Sequence, residues 1–170
     1  MYYIDCYSSI LGNITMASDG EKLTGLWFDG QKYFASTLNG DYVNKELPIF
    51  IKTKKWLGMY FKGVVPEFNI PILLEGSPFR MAVWQVLQSI PYGKTMTYGQ
   101  IANLIARKKG IDKMSAQAVG GAVGHNPISI VVPCHRVIGA KGNLTGYAGG
   151  IDKKIALLKL EGVNTEKLHS

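Results

Sequence analysis

Cysteine is scarce in this chain: two residues in 170, Cys6 and Cys134, too far apart in sequence to suggest a pairing. No apolar run is long enough to cross a bilayer, and nothing at the N-terminus resembles a signal peptide. A cytosolic, reduced protein is the expectation, with Cys134 available as a free thiol. Internal repeats and low-complexity segments are also missing. The first 76 residues hold one cysteine and no histidine, which excludes a familiar zinc cluster there. Carboxylates are few in the remainder: residues 77–170 carry 4 Asp+Glu against 12 Lys+Arg, whereas residues 1–76 carry 8 against 7. The formal charge of +7 therefore belongs to the C-terminal part. A basic half joined to a neutral half suggests a polyanion, nucleic acid first, although solvated surface lysines give the same count.

What is present is an ordered globular chain, 46% hydrophobic and 18% charged, long enough for one good core or two small domains. Residues 2–6, 13–17 and 23–28 alternate as short antiparallel strands, separated by Gly12 and by the turn Ser18-Asp19-Gly20. Pro48 opens a helix to about Lys62, and Phe68 to Leu73 reads as one more strand. This N-terminal part is expected to be a small α/β unit with a scaffolding role, ending near residue 76. Ser77 and Pro78 then start a helix whose face is Phe79, Val83, Val86, Leu87 and Ile90. A second helix follows from Tyr98 to about Arg107, opened by a capping box of Thr97 and Gln100. A third, capped by Ser115, runs over Ala116–Gly124 with almost only tiny side chains. Its two adjacent glycines cost about 1 kcal/mol each relative to alanine, and close backbone approach to something large is one use for such a face. Two helices joined by a short turn and flanked by Lys108, Lys109 and Lys113 resemble a helix-turn-helix; a tight contact inside the core would use the glycines equally well.

The apolar run Ile128–Val132 reads as a buried strand that stops at Pro133 and delivers Cys134 and His135 side by side. A thiol beside an imidazole is what thiolate chemistry needs, while a buried core cysteine is the commoner fate. On a straight strand the two would face apart, so Pro133 must bend the chain or a water must bridge them. An oriented imidazole also wants a carboxylate. Of Asp112, Asp152, Glu161 and Glu166, Glu161 is the choice, because it follows an apolar helix that must pack near the core. That final helix, from Ile151 to about Leu160, is expected to stack Ile151, Ile155 and Leu158 inward, with Ala156 a further candidate, after a Gly-rich loop holding Asn143, Thr145, Tyr147 and Ala148.

The run Pro133-Cys134-His135-Arg136, preceded by Gly-His-Asn-Pro and followed by Thr-Gly-Tyr-Ala-Gly-Gly and Leu-Glu-Gly, resembles the O6-alkylguanine-DNA alkyltransferase family over about residues 78–162. The resemblance implies an α+β fold: a ribonuclease-H-like N-terminal domain over 1–76 and a mostly helical, helix-turn-helix and active-site domain over 77–170. It implies repair of duplex DNA by base flipping, with the alkyl group of O6 of guanine, or of O4 of thymine, moved once and irreversibly to Cys134. In that scheme His135 deprotonates Cys134 through a water and Glu161 orients the imidazole. Tyr98 helps to protonate the leaving base and Asn126 braces the active-site segment. The carbonyls of Cys134 and Val137, with Tyr147 and the Ala148 N–H, line the base pocket. Lys113, Ser115, Ala116, Gln117, Gly120 and Gly121 face the DNA. No cofactor, metal or membrane is implied, and a monomer is expected. Two departures stand out: Gln117 occupies the place of a frequent arginine, and Ala148 that of a frequent serine. A non-catalytic lesion-binding module, a cysteine hydrolase and a transcription factor are the rival readings; the first two leave the thiol or the basic half unexplained, and the third leaves the thiol.

Overall fold

The structure is a computed structural model describing residues 1–144 and 146–169, so Thr145 of the Gly-rich loop lies outside the described residues. The chain divides into two units, Met1–Leu74 with Pro127–Val131, and Glu75–Asn126 with Val132–Ser170. The architecture is mixed α+β, with strands concentrated in the first unit and helices in the second. Among the described residues no helix is long and apolar enough to cross a membrane.

In the first unit, β1 (Tyr2–Ser9), β2 (Gly12–Ser18) and β3 (Leu23–Phe28) form an antiparallel meander. A short β4 (Tyr42–Asn44) adds to β1 in parallel, giving the order β3-β2-β1-β4. All six residues of β3 are buried, so the expected alternation is lost on this strand. The Trp27 ring lies across Gly25, where an added Cβ would overlap it; only glycine fits. Helix α1 (Pro48–Phe61) buries Ile49, Phe50, Leu57 and Tyr60.

Two expected strands are corrected. Phe68–Leu73 is reduced to a single bridge, Leu23 to Ile72, since Pro71 has no N–H to continue a ladder. Ile128–Val132 is not a strand either. Leu26 N–H donates to the Pro127 carbonyl and Ser129 N–H to the Leu26 carbonyl, both at 2.9 Å, and a bridge joins Leu26 to Ile128. Ile130 then adopts φ +69° and the Val131 N–H closes a tight turn on the Ser129 carbonyl at 2.8 Å. An apolar run bounded by prolines cannot be told from a strand by periodicity when every side of it is buried. A β-branched residue at positive φ is strained, and such strain persists only where the surroundings hold it.

The second unit contains α2 (Pro78–Gln88), β5 (Met96–Thr97), α3 (Tyr98–Lys109) and α4 (Ala116–Gly124). A 3-10 turn over Cys134–Arg136, β6 (Val137–Ile138) and α5 (Ile151–Leu160) follow. The Ser77 hydroxyl accepts from the Arg80 N–H, the Thr97–Gln100 capping box is complete, and Ser115 accepts from the Ala118 N–H. Arg107, Lys108 and Lys109 end α3 at its negative pole, before Gly110 in the left-handed conformation. Trp84 anchors the packing of α2 on α4, its Nε1–H donating to the buried Ala122 carbonyl at 2.8 Å.

Candidate active site

Cys134 sits in the 3-10 turn, not on a strand, so the opposite-facing geometry of an extended chain does not apply to Cys134 and His135. The Cys134 N–H donates to the Val132 carbonyl at 2.8 Å and the Arg136 N–H to the Pro133 carbonyl at 3.0 Å. Asn126 clasps the segment from before: its Nδ2 donates to the Val132 carbonyl at 2.8 Å, joining the two ends of the stretch lent to the first unit. Cys134 and His135 are both buried.

Glu161, just past α5, gathers the site. Its Oε2 lies 2.6 Å from His135 Nε2, and its Oε1 accepts from Arg136 Nε at 2.8 Å and from the Gly93 N–H at 3.0 Å. Arg136 adds a second hydrogen bond from its terminal nitrogen to Oε2 at 3.1 Å and ties its other one to the Ile90 carbonyl at 2.7 Å. Gly93 can approach because it is glycine: φ is +76°, and a Cβ would lie 3.0 Å from the Glu161 carbonyl oxygen. Burial pushes the Glu161 carboxyl up, but hydrogen bonds from His135 and Arg136 outweigh it and hold the group below the ordinary carboxylate range. Burial pushes His135 down, against the pull of Glu161, so the imidazole is neutral. A carboxylate only accepts, so Nε2 carries the proton and Nδ1 is the basic nitrogen.

Burial likewise raises the Cys134 thiol, and hydrogen bonding from the Asn126 side chain, the Lys154 charge and Tyr147 pull it back. Lys154 is not among the expected site residues. The buried face of α5 is Lys154, Leu157 and Leu158, not the expected Ile151, Ile155 and Leu158, of which only Leu158 is buried. The signal for it is a lysine four residues before Leu158, on the core stripe of an amphipathic helix. Arg136 belongs to the motif but carries no expected role; its place two residues after the thiol is the only hint.

The remaining expected residues fall as follows. Tyr98 opens α3 half-buried, its ring 3.8 Å from where a Cβ on Gly120 would stand. Val137 is buried in β6, and its N–H already donates to the Cys134 carbonyl, which keeps its second lone pair for a ligand. Tyr147 and Ala148 are half-buried in the loop before α5. On α4 the buried residues are Val119, Ala122 and Val123, while Ser115, Ala116, Gln117 and Gly121 are exposed, with Lys113 just upstream. A Cβ at Gly121 would meet nothing within 4 Å, so its smallness serves no internal contact.

Residues 78–163 match the DNA binding domain of 6-O-methylguanine DNA methyltransferase, and residues 1–74 match its ribonuclease-like domain. The chain belongs to this family. It is 42% identical over 160 residues to the methylated-DNA--protein-cysteine methyltransferase of Haemophilus influenzae, covering 94% of this chain and 86% of that one. The enzyme of the same name from Methanosarcina acetivorans is 43% identical, with 95% and 99% covered. The crystal structure of Mycobacterium tuberculosis OGT in complex with DNA superposes with a TM-score of 0.81 at 40% identity, covering 99% of this chain and 95% of that one. Methyltransferase membership accounts for both units at once.

Proposed function

We propose that this protein is a methylated-DNA--protein-cysteine methyltransferase that repairs O6-alkylguanine in double-stranded DNA by a single irreversible transfer to Cys134. The observation that carries the reading is the buried 2.6 Å contact between His135 Nε2 and Glu161 Oε2 beside a buried thiol. Nδ1 of His135 receives the thiol proton, directly or through a water. The sulfur attacks the alkyl carbon, a carbon–sulfur bond forms and the carbon–O6 bond breaks. The electron pair left on the base is neutralised by a proton, for which the Tyr98 hydroxyl is the donor. A thioether has no leaving pathway, so each molecule reacts once.

A base inside a duplex cannot reach a buried sulfur, so the guanine must be extruded, at a cost of a few kcal/mol. The small-residue face of α4, exposed at Ser115, Ala116, Gln117 and Gly121 and half-buried at Gly120, is the surface for the duplex, together with Lys113. Phosphate contacts from the basic half offset the extrusion. Tyr147, the Ala148 N–H and the carbonyls of Cys134 and Val137 hold the flipped base. In this reading residues 77–170 carry recognition and chemistry, residues 1–76 serve as scaffold, and the two free cysteines fit a cytoplasmic location. Incubation with a methylguanine-containing duplex should add one methyl's mass to the Cys134 peptide, stoichiometrically, and none in Cys134→Ala. Continuous turnover, or binding without a mass change, would overturn the assignment.

A further inference from the structure

Arg136 completes the Pro-Cys-His-Arg run without a task in the alkyl-transfer scheme, yet every nitrogen of its guanidinium is committed. Nε donates to Glu161 Oε1 at 2.8 Å and a terminal nitrogen to Oε2 at 3.1 Å, the forked pairing of guanidinium with carboxylate. The other terminal nitrogen donates to the Ile90 carbonyl at 2.7 Å, and the Tyr92 ring centroid lies 5.7 Å from the guanidinium carbon. Oε2 of the same carboxylate is 2.6 Å from His135 Nε2. One buried carboxylate is thus shared between a permanent cation and an imidazole.

Left without that cation, a buried carboxylate draws a proton into the site. The Gly93 N–H and His135 Nε2 hydrogen-bond to the ionised carboxylate, so the more basic imidazole is where the proton would go. With the guanidinium in place, a protonated His135 would instead leave one positive charge in excess, away from water. The charged and titratable groups around the imidazole are Glu161 and Lys154 from α5 and its end, Arg136 and Cys134 from its own turn, and Tyr92 from the turn before β5. Glu161 is the negative one among them: burial raises both the Cys134 thiol and the Tyr92 hydroxyl, which stay protonated at neutral pH.

We propose that Arg136 is a positioning residue for the proton transfer: by balancing the Glu161 charge it keeps His135 a neutral imidazole, held through Nε2, with its lone pair on Nδ1. Burial is the largest influence lowering His135, and the Arg136 charge adds to it against the pull of Glu161. The role rests on the alkyl-transfer reading only in that the proton comes from Cys134, so its first test uses no DNA. Ring NMR signals of the three histidines, assigned with His125→Gln and His169→Gln, give the His135 midpoint against pH. Arg136→Gln keeps a hydrogen-bonding side chain but removes the charge, and should raise that midpoint by about one pH unit or more. Arg136→Lys, which keeps the charge, should hold it near the wild-type value. An unmoved or lowered midpoint in folded Arg136→Gln overturns the proposal, as does a lysine variant that behaves like the glutamine one. If Arg136→Gln does not fold, the wild type and Arg136→Lys decide. Midpoints below the ordinary 6.5 in both support the proposal, and one at or above it in either overturns it. The acid limb of single-turnover methyl transfer at saturating DNA should move with the midpoint, slowing transfer on that limb about tenfold per pH unit; a limb that stays put is equally fatal. A raised midpoint in a protein that takes no methyl from DNA would defeat the alkyl-transfer reading and leave the charge balance standing. Methyl transfer with an unmoved midpoint would do the reverse.

Discussion

Glu161 accepts four hydrogen bonds, from His135, from two nitrogens of Arg136 and from the Gly93 backbone. The carboxylate therefore stays ionised, fixes the imidazole tautomer and holds the 3-10 turn against α5 and the Pro91–Lys94 turn. Under the proposed function, the other residue whose identity would matter singly is Gln117, exposed at the start of α4. Glutamine can fill space and hydrogen-bond to an orphaned cytosine, but it brings no charge and less reach than arginine. Gln117→Arg should tighten duplex binding several-fold, read by fluorescence anisotropy at fixed salt, while the transfer rate at saturating DNA stays the same. Identical affinity in the two proteins would show that the glutamine is no handicap.

At the scale of elements, α4 is held from one side and open on the other. Val119, Ala122 and Val123 face inward, and Trp84 pins the helix through the Ala122 carbonyl. Trp84→Phe leaves that buried carbonyl without its donor, and the expected loss is about 1–3 kcal/mol, measured by urea denaturation. A variant as stable as the parent would mean that water replaces the indole. The 3-10 turn at Cys134 is positioned in the same way, from both ends: Asn126 grips the Val132 carbonyl, and β6 continues directly into pairing with β5. The strained Ile130 lies between Asn126 and Val132, inside the segment these anchors enclose.

At the scale of the whole molecule, protonation links the site to stability. Glu161 is held below its ordinary 4.5 and His135 below its ordinary 6.5. For both groups the unfolded chain binds protons that the folded one refuses, so their contribution is complete above those ordinary values and is lost as pH falls. Denaturant midpoints should therefore drop from about pH 6.5 downward, where His135 begins to count, and more steeply below about 4.5, where Glu161 joins it. Glu161→Gln should be less stable at pH 7 by about 3 kcal/mol, since it strips a buried pair of one partner, and should flatten the acid limb. An acid limb as steep as the parent's would assign the pH dependence to other groups.

The helices with their caps and the basic half were legible because each depends on local chemistry: an N-cap hydroxyl, a proline at the first helical position, an apolar stripe at helical period. The thiol, imidazole and carboxylate could be named for the same reason, from residue type and a short list of available acids. The backbone path through Ile128–Val132 could not, because an apolar run buried on every side carries no period to distinguish strand from turn. Nor could the roles of Arg136, Gly93 and Lys154. Glu161 lies 68 residues from Gly93, and Lys154 is buried, reaching the Gly146 carbonyl, only because α5 turns its fourth position inward. Residue chemistry along the chain determined what the site could do. Tertiary packing decided which charges are removed from water together, and that sets the ionisation of Cys134, His135 and Glu161.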